Sequence, residues 1–122
     1  MTQSALESAT GRASMRPATI IRDQLCERLG AGDVVVIDVR PEAEYAAGHI
    51  PGAVSMPLPS LAERLRQVPA GAEVVAYCRG PYCVYADEAV RLLVRSGRAA
   101  SRLEDGFPEW AATGLAVERK TG

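Results

Sequence analysis

The chain has 122 residues, 48% of them hydrophobic, and a formal net charge of −1 from 14 basic and 15 acidic side chains. That length supports one domain around a single core, and the balanced charge leaves no electrostatic footprint for a nucleic acid or a membrane surface. No stretch is long and apolar enough to span a bilayer, and the first residues lack the apolar centre of a secretory signal.

Residues 1–16 are small and polar without sustained period, so they read as a loose N-terminal arm, and residues 17–122 as the folded domain. Ala18 to Ile21 suits a short strand. Asp23 is a candidate N-cap for a helix with Leu25, Cys26 and Leu29 on one face, and Gly30 its stop. Cys26 is therefore expected in the core. Val34 to Val39 is almost unbroken and β-branched, as a central parallel strand covered on both faces should be. Asp38 and Arg40 come at its end, Pro41 opens a short helix and Gly48 closes it. His49 lies in a Gly- and Pro-flanked turn, where a lone histidine reads better as a structural hydrogen-bonding residue than as a base.

Ala53 to Met56 suits another strand. Ser60 with Glu63 forms a capping-box pattern for a helix whose apolar face holds Leu58, Leu61, Ala62 and Leu65. Glu73 to Ala76 leads, as a further strand, into Tyr77-Cys78-Arg79-Gly80-Pro81-Tyr82-Cys83-Val84. Beyond it Ala86, Ala89, Val90, Leu93 and Val94 recur at helical spacing. Arg91, Arg95, Arg98 and Arg102 form a modest basic cluster, read as a solvated helix face and exit loop. Gly97 suits a C-cap, Ala99 to Leu103 a return strand, and Gly106 to Gly114 a turn and short helix with Trp110 packed on the body. Strands alternating with helices predict an α/β fold, a parallel central sheet with helices on both faces.

The stretch from Cys78 to Val84 is where chemistry is expected. Ligands bind beyond the carboxyl ends of strands in open α/β sheets, and a helix N-terminus offers free N–H groups and partial positive charge. Gly80 lets the loop curl so that its amides, from Arg79 to Val84, converge on an anion. Cys78 at that place, beside Arg79, is expected to have a depressed pKa and to react as a thiolate. Three cysteines, Cys26, Cys78 and Cys83, do not describe a disulfide scaffold, and a reducing, cytoplasmic setting fits them best.

The chain resembles the rhodanese-like family. The resemblance rests on YCRGPYCVYADEAV, on Val36-Ile37-Asp38-Val39-Arg40-Pro41 with Tyr45, on Gly48-His49-Ile50-Pro51-Gly52-Ala53, and on Leu103 to Val117 with Gly106, Trp110 and Gly114. Its loop is most similar to that of rhodanese domains fused behind ArsR-type winged-helix repressors; no such repressor domain is expected within this chain. The resemblance implies a single rhodanese-like domain and a catalytic Cys78. Arg79, Gly80, Pro81, Tyr82, Cys83 and Val84 would line the substrate site, with Asp38 and Arg40 in support. Cys83 stands where the family favours Arg or Thr, and Pro81 where Gly is usual.

The chemistry implied is thiosulfate sulfurtransferase activity. Cys78 takes the outer sulfur of thiosulfate or polysulfide as a persulfide and yields it to cyanide or a thiol, without metal or organic cofactor. The partners expected are a small anionic sulfur donor, a thiol or cyanide acceptor and a relay protein, with no nucleic acid and no membrane. One alternative is a non-enzymatic thiol redox, sulfide-sensing or docking module. A less favoured one is a phosphatase or arsenate reductase, which needs an arginine at the loop's far end, where Cys83 and Val84 stand. A metal site from Cys78, Cys83 and His49 does not match zinc spacings. Cys83 is also a candidate resolving thiol for Cys78, provided the loop brings their Cα atoms within about 7 Å.

Overall fold

The computed structural model describes residues 18–80 and 83–120; the expected arm over residues 1–16, together with Pro81 and Tyr82, lies outside the described residues. In chain order the elements are β1 (Thr19–Ile20), α1 (Arg22–Ala31), β2 (Val34–Asp38), α2 (Glu42–Ala47), β3 (Val54–Ser55), α3 (Leu58–Arg64), β4 (Glu73–Tyr77), α4 (Val84–Arg95), β5 (Ala99–Leu103) and α5 (Phe107–Ala112). A 3-10 turn, Leu65–Gln67, follows α3. The five strands form one sheet in the order β1-β5-β4-β2-β3, and every pairing is parallel.

The side-chain alternation of the central strands sorts the core into two layers. Val74, Ala76 and Cys78 pack with Ile37 and Val39 against Leu61 of α3 and Ala86, Ala89, Val90 and Leu93 of α4. Val75 and Tyr77 pack with Val36 and Leu103 against Leu25 of α1 and Trp110 of α5. Both faces of β2 and β4 are therefore dry, which is why their sequences are nearly continuous apolar runs. Cys26 is half-buried against the second layer. No helix among the described residues is long and apolar enough to cross a membrane.

Helix ends depart from the sequence reading for local reasons. Helix α1 begins one residue earlier than Asp23, with Ile21 as N-cap and its N–H held by the Gln24 side chain at 3.0 Å. It runs past Gly30 to Gly32, whose φ of 75° is the left-handed turn that ends it. The Ser60–Glu63 capping box does not form. Pro57 already occupies the N-cap, so Ser60 lies within the first turn and its hydroxyl donates to the Pro57 carbonyl at 3.1 Å. Val94, placed by spacing on the apolar face, is 53% exposed at the end of α4.

The basic cluster is not a solvated face throughout. Arg98 folds back to donate to the carbonyls of Leu65 and Val68, closing the 3-10 turn. Arg102 is buried; its partners belong to the site.

Candidate active site

The strand order places a switch point between β2 and β4. From β2 the chain moves outward to β3 on one side, and from β4 it moves to β5 on the other. The connections diverge at the carboxyl ends of two neighbouring strands, the place where open α/β sheets bind their ligands. Asp38 ends β2, and Cys78 immediately follows β4.

At the end of β2 the polar groups are consumed by one another. The Arg40 guanidinium donates to Asp38 through Nε at 2.9 Å and Nη2 at 2.6 Å, and Nη2 also reaches the Gly48 carbonyl at 2.7 Å. Asp38 is fully buried, and it also accepts from the Arg40 amide at 3.0 Å and the Tyr77 hydroxyl at 2.7 Å. Tyr77 in turn accepts from the Ile50 amide at 3.1 Å. Burial, then the Asp38 charge, pushes the Tyr77 pKa up, so it stays a neutral donor. The guanidinium also lies 4.5 Å from the Phe107 ring centroid. Every buried side-chain polar atom among the described residues has a partner.

At the end of β4 the backbone is held from one side and left available on the other. The Phe107 amide donates to the Cys78 carbonyl at 3.0 Å. Because the peptide is trans, that carbonyl turns the Arg79 N–H the opposite way, toward the thiols. Gly106 presses on the same segment: a Cβ there would lie 2.2 Å from Gly80 Cα and N, so only glycine fits. The Gly80 carbonyl accepts from Arg102 Nη2 at 2.7 Å and from the Cys83 amide at 3.2 Å. Arg102 is itself fixed by Asp87, in the first turn of α4, at 2.8 Å. Pro81 has no N–H, so the amides from Arg79 to Val84 are not an unbroken set of donors.

This geometry brings the two loop thiols together. Cys78 is 1% exposed, Cys83 is half-buried at the N-cap of α4, and their side chains share a hydrogen bond. The expectation of a depressed Cys78 pKa is corrected. Burial, then the hydrogen bond with Cys83, pushes Cys78 up to about 12, against the opposing Arg79 amide and charge. Burial also works against a Cys83 thiolate, but the hydrogen bond from Cys78, the Tyr85 and Arg79 amides and the Arg79 charge outweigh it and lower its pKa. The pair titrates as a unit: the first proton leaves from the Cys83 side, and Cys78 keeps the second.

Arg79 does not point a free charge at the loop. Its Nε and Nη2 clasp Glu44 of α2 at 3.0 and 2.7 Å, which holds the Glu44 carboxyl below its ordinary range. His49 lies apart from the thiols. Its Nδ1 donates to the Tyr45 carbonyl at 2.8 Å, its ring stacks on Tyr45 and its Nε2 faces Glu118 at 3.6 Å. The structure thus joins Asp38 with Arg40, and Cys78 with Cys83, Arg79 and Gly80; Val84 is 57% exposed at the start of α4. Tyr77, Glu44, Asp87, Arg102, Gly106 and Phe107 were not singled out as site residues. Gly106 two residues beyond Glu104 was the nearest to a signal, as a turn after a strand.

The rhodanese-like domain profile matches residues 22–113. The chain belongs to the rhodanese-like domain family. It is 50% identical over 99 residues to the HTH-type transcriptional regulator Rv0324 of Mycobacterium tuberculosis (strain ATCC 25618 / H37Rv), covering 81% of this chain but 44% of that protein. The chain therefore spans less than half the length of that relative. It is 33% identical over 101 residues to a sulfurtransferase of Allochromatium vinosum, covering 82% of this chain and 94% of that one. Among solved structures, a rhodanese-like domain protein from Staphylococcus aureus superposes with a TM-score of 0.74 at 28% identity, covering 85% of this chain and 99% of that one. The thiosulfate sulfurtransferase from Pseudomonas aeruginosa shares the fold, with a TM-score of 0.76 at 22% identity over 86% of this chain and 21% of that one. The fold is thus of the sulfurtransferase type.

Proposed function

We propose that this rhodanese-like domain is a sulfurtransferase that carries sulfane sulfur on Cys78 as a persulfide. Thiosulfate or polysulfide supplies the sulfur, and cyanide or a thiol, on a small molecule or on a relay protein, accepts it. The observation that carries this reading is the thiol at the carboxyl end of β4, at the switch point, facing a second thiol and an inward amide. The likeness to a sulfurtransferase along nearly its whole length supports it. The free thiols fit a reducing, cytoplasmic setting.

The pair explains how a buried thiol becomes a nucleophile. Cys83, the first to lose its proton, takes the Cys78 proton along their shared hydrogen bond. The Cys78 thiolate attacks the outer sulfur of thiosulfate; the new S–S bond forms as the old one breaks, and sulfite leaves with the electron pair. The Arg79 amide and the positive end of α4, a 12-residue helix, stabilise the persulfide anion. Asp38 and Arg40 support the site by holding the neighbouring strand end rigid.

A phosphatase or arsenate reductase would need a guanidinium free to clamp a tetrahedral oxyanion. Arg79 is clasped by Glu44 and Arg102 by Asp87 and Gly80, so neither fits that role. The likeness to a transcriptional regulator favours one second reading, in which the same persulfide serves as a sulfur signal.

The test is sulfite release from thiosulfate with cyanide or dithiothreitol as acceptor. Cys78→Ser should abolish it, and Cys26→Ser should leave it nearly intact. Full activity in Cys78→Ser overturns the reading.

A further inference from the structure

We infer that the domain has a second activity, reductive release of the sulfane sulfur as sulfide, in which Cys83 attacks the Cys78 persulfide and closes a Cys78–Cys83 disulfide. The inference rests on the proposed persulfide and deepens it. A loop with a single thiol can offer its persulfide only to an external acceptor. Here an internal acceptor is already in place.

Three observations carry it. The two side chains share a hydrogen bond in the reduced state, so their sulfurs are neighbours before any reaction. The loop is turned back to bring them together: the Cys83 amide donates to the Gly80 carbonyl at 3.2 Å, and Arg102 holds the same carbonyl at 2.7 Å. Cys83 is half-buried against the layer that contains Cys78, not sealed inside it, so it can move toward its partner without unpacking α4. Its position at the N-cap of that helix also eases the thiolate character an attacking sulfur needs.

The step balances. After Cys78 has taken a sulfur, it carries an anionic outer sulfur, and Cys83 holds the proton it accepted. The Cys83 sulfur bonds to the inner sulfur of Cys78, and the bond to the outer sulfur breaks. That sulfur leaves with the electron pair and the Cys83 proton, as hydrosulfide. The sulfane sulfur is reduced, and the two cysteines are oxidised to a disulfide. Two equivalents of a low-molecular-weight thiol, or one dithiol, then reduce the disulfide and complete the cycle. The net reaction converts thiosulfate and two thiols to sulfite, sulfide and one external disulfide.

The pair thereby sets a choice of product. A strong nucleophile such as cyanide that reaches the persulfide first takes the sulfur intact. Without one, the sulfur leaves as sulfide and the loop rests oxidised. Cys26 packs against the opposite face of the sheet and takes no part.

The experiment is a single turnover under anaerobic conditions. Fully reduced protein, freed of reductant, is mixed with thiosulfate, and sulfite and sulfide are both counted. Acid-quenched samples are then mapped without reduction. Wild type and Cys26→Ser should release one sulfide for each sulfite and accumulate the linked Cys78–Cys83 peptide. Cys83→Ser and Cys83→Ala lack the group that takes the Cys78 proton and should load more slowly, but once loaded they should release almost no sulfide for each sulfite and retain the added sulfur on Cys78. If wild type and both Cys83 variants hold the same persulfide for the same time, with no linked peptide, the inference is overturned while sulfur transfer stands. Linked peptide without sulfide also overturns it, since the pair then oxidises by another route. If no variant and no wild-type protein accepts sulfur, the persulfide reading fails and this one with it.

Discussion

The carboxyl ends of β2 and β4 lie side by side, yet they have opposite characters. At the β2 end Asp38, Arg40, Tyr77, Gly48 and Ile50 satisfy one another, and every buried side-chain polar atom there has a partner. At the β4 end the carbonyls of Cys78 and Gly80 are tied down from behind, while the Arg79 amide and two thiols face the loop interior. One end is a strut and the other a reactive loop. A buried charged network gives rigidity only when complete, whereas a reactive loop needs backbone groups held in place but unspent.

The contrast breaks most severely at the strut. Asp38→Ala leaves Arg40 charged, buried and unpaired, at a cost of about 3–5 kcal/mol. Replacing both partners, as Asp38→Leu with Arg40→Met, should recover much of that loss. Chemical denaturation checks both; equal losses in the single and double variants would show that the network does more than satisfy its own charges.

The next largest effect is expected where the loop is tied down. Arg102→Ala leaves Asp87 without this partner and the Gly80 carbonyl with the Cys83 amide alone, costing about 1–3 kcal/mol, and should slow sulfur transfer on the order of tenfold to hundredfold through misplacement of the loop. Added guanidinium should restore part of the rate in Arg102→Ala but none in Gly106→Ala. The latter should lose about 1–3 kcal/mol through overpacking against Gly80. An Arg102→Ala variant that transfers sulfur at the wild-type rate would detach Arg102 from function.

How much of this could be read from residues alone follows the same division. The fold was legible because the runs Val34 to Val39 and Glu73 to Ala76 have strand character, and Ala86, Ala89, Val90, Leu93 and Val94 recur at helical spacing, all but Val94 on the buried face. The loop was legible because arginine, glycine and proline around a cysteine between such elements mark a turn, although Cys78 itself proves buried. The ties behind the loop were not. Arg102 contacts Asp87 and Gly80 across 15 and 22 residues, and Arg79 meets Glu44 across 35, pairings that local pattern does not encode. The thiol pKa was misread for a related reason. Spacing shows that Cys78 ends a strand, but the alternation that turns its sulfur into the dry layer with α4, against Cys83, is a property of the packed sheet.

A smaller effect separates the two thiols. In alkylation rates against pH, the first inflection should lie below the ordinary thiol range and map to Cys83, with Cys78 reacting only at higher pH. Cys83→Ala removes the hydrogen bond and the neighbouring anion that raise Cys78, so the Cys78 inflection should move down. An upward move would mean that Cys83 activates Cys78 even at rest. The smallest effect is expected at Arg79. Arg79→Ala should raise KM for thiosulfate severalfold with little change in Tm, since the side chain is 53% exposed and its ion pair among the described residues is with Glu44.

The claim on which the account stands is that sulfur enters at the β4 end, on Cys78. Peptide-resolved mass spectrometry of Cys83→Ser after exposure to thiosulfate or polysulfide carried on until uptake is complete, quenched in acid, tests it most directly. The account predicts one added sulfur on the peptide carrying Cys78 and none on that carrying Cys26. Added sulfur on Cys26, or none on Cys78 in a folded protein, would contradict it.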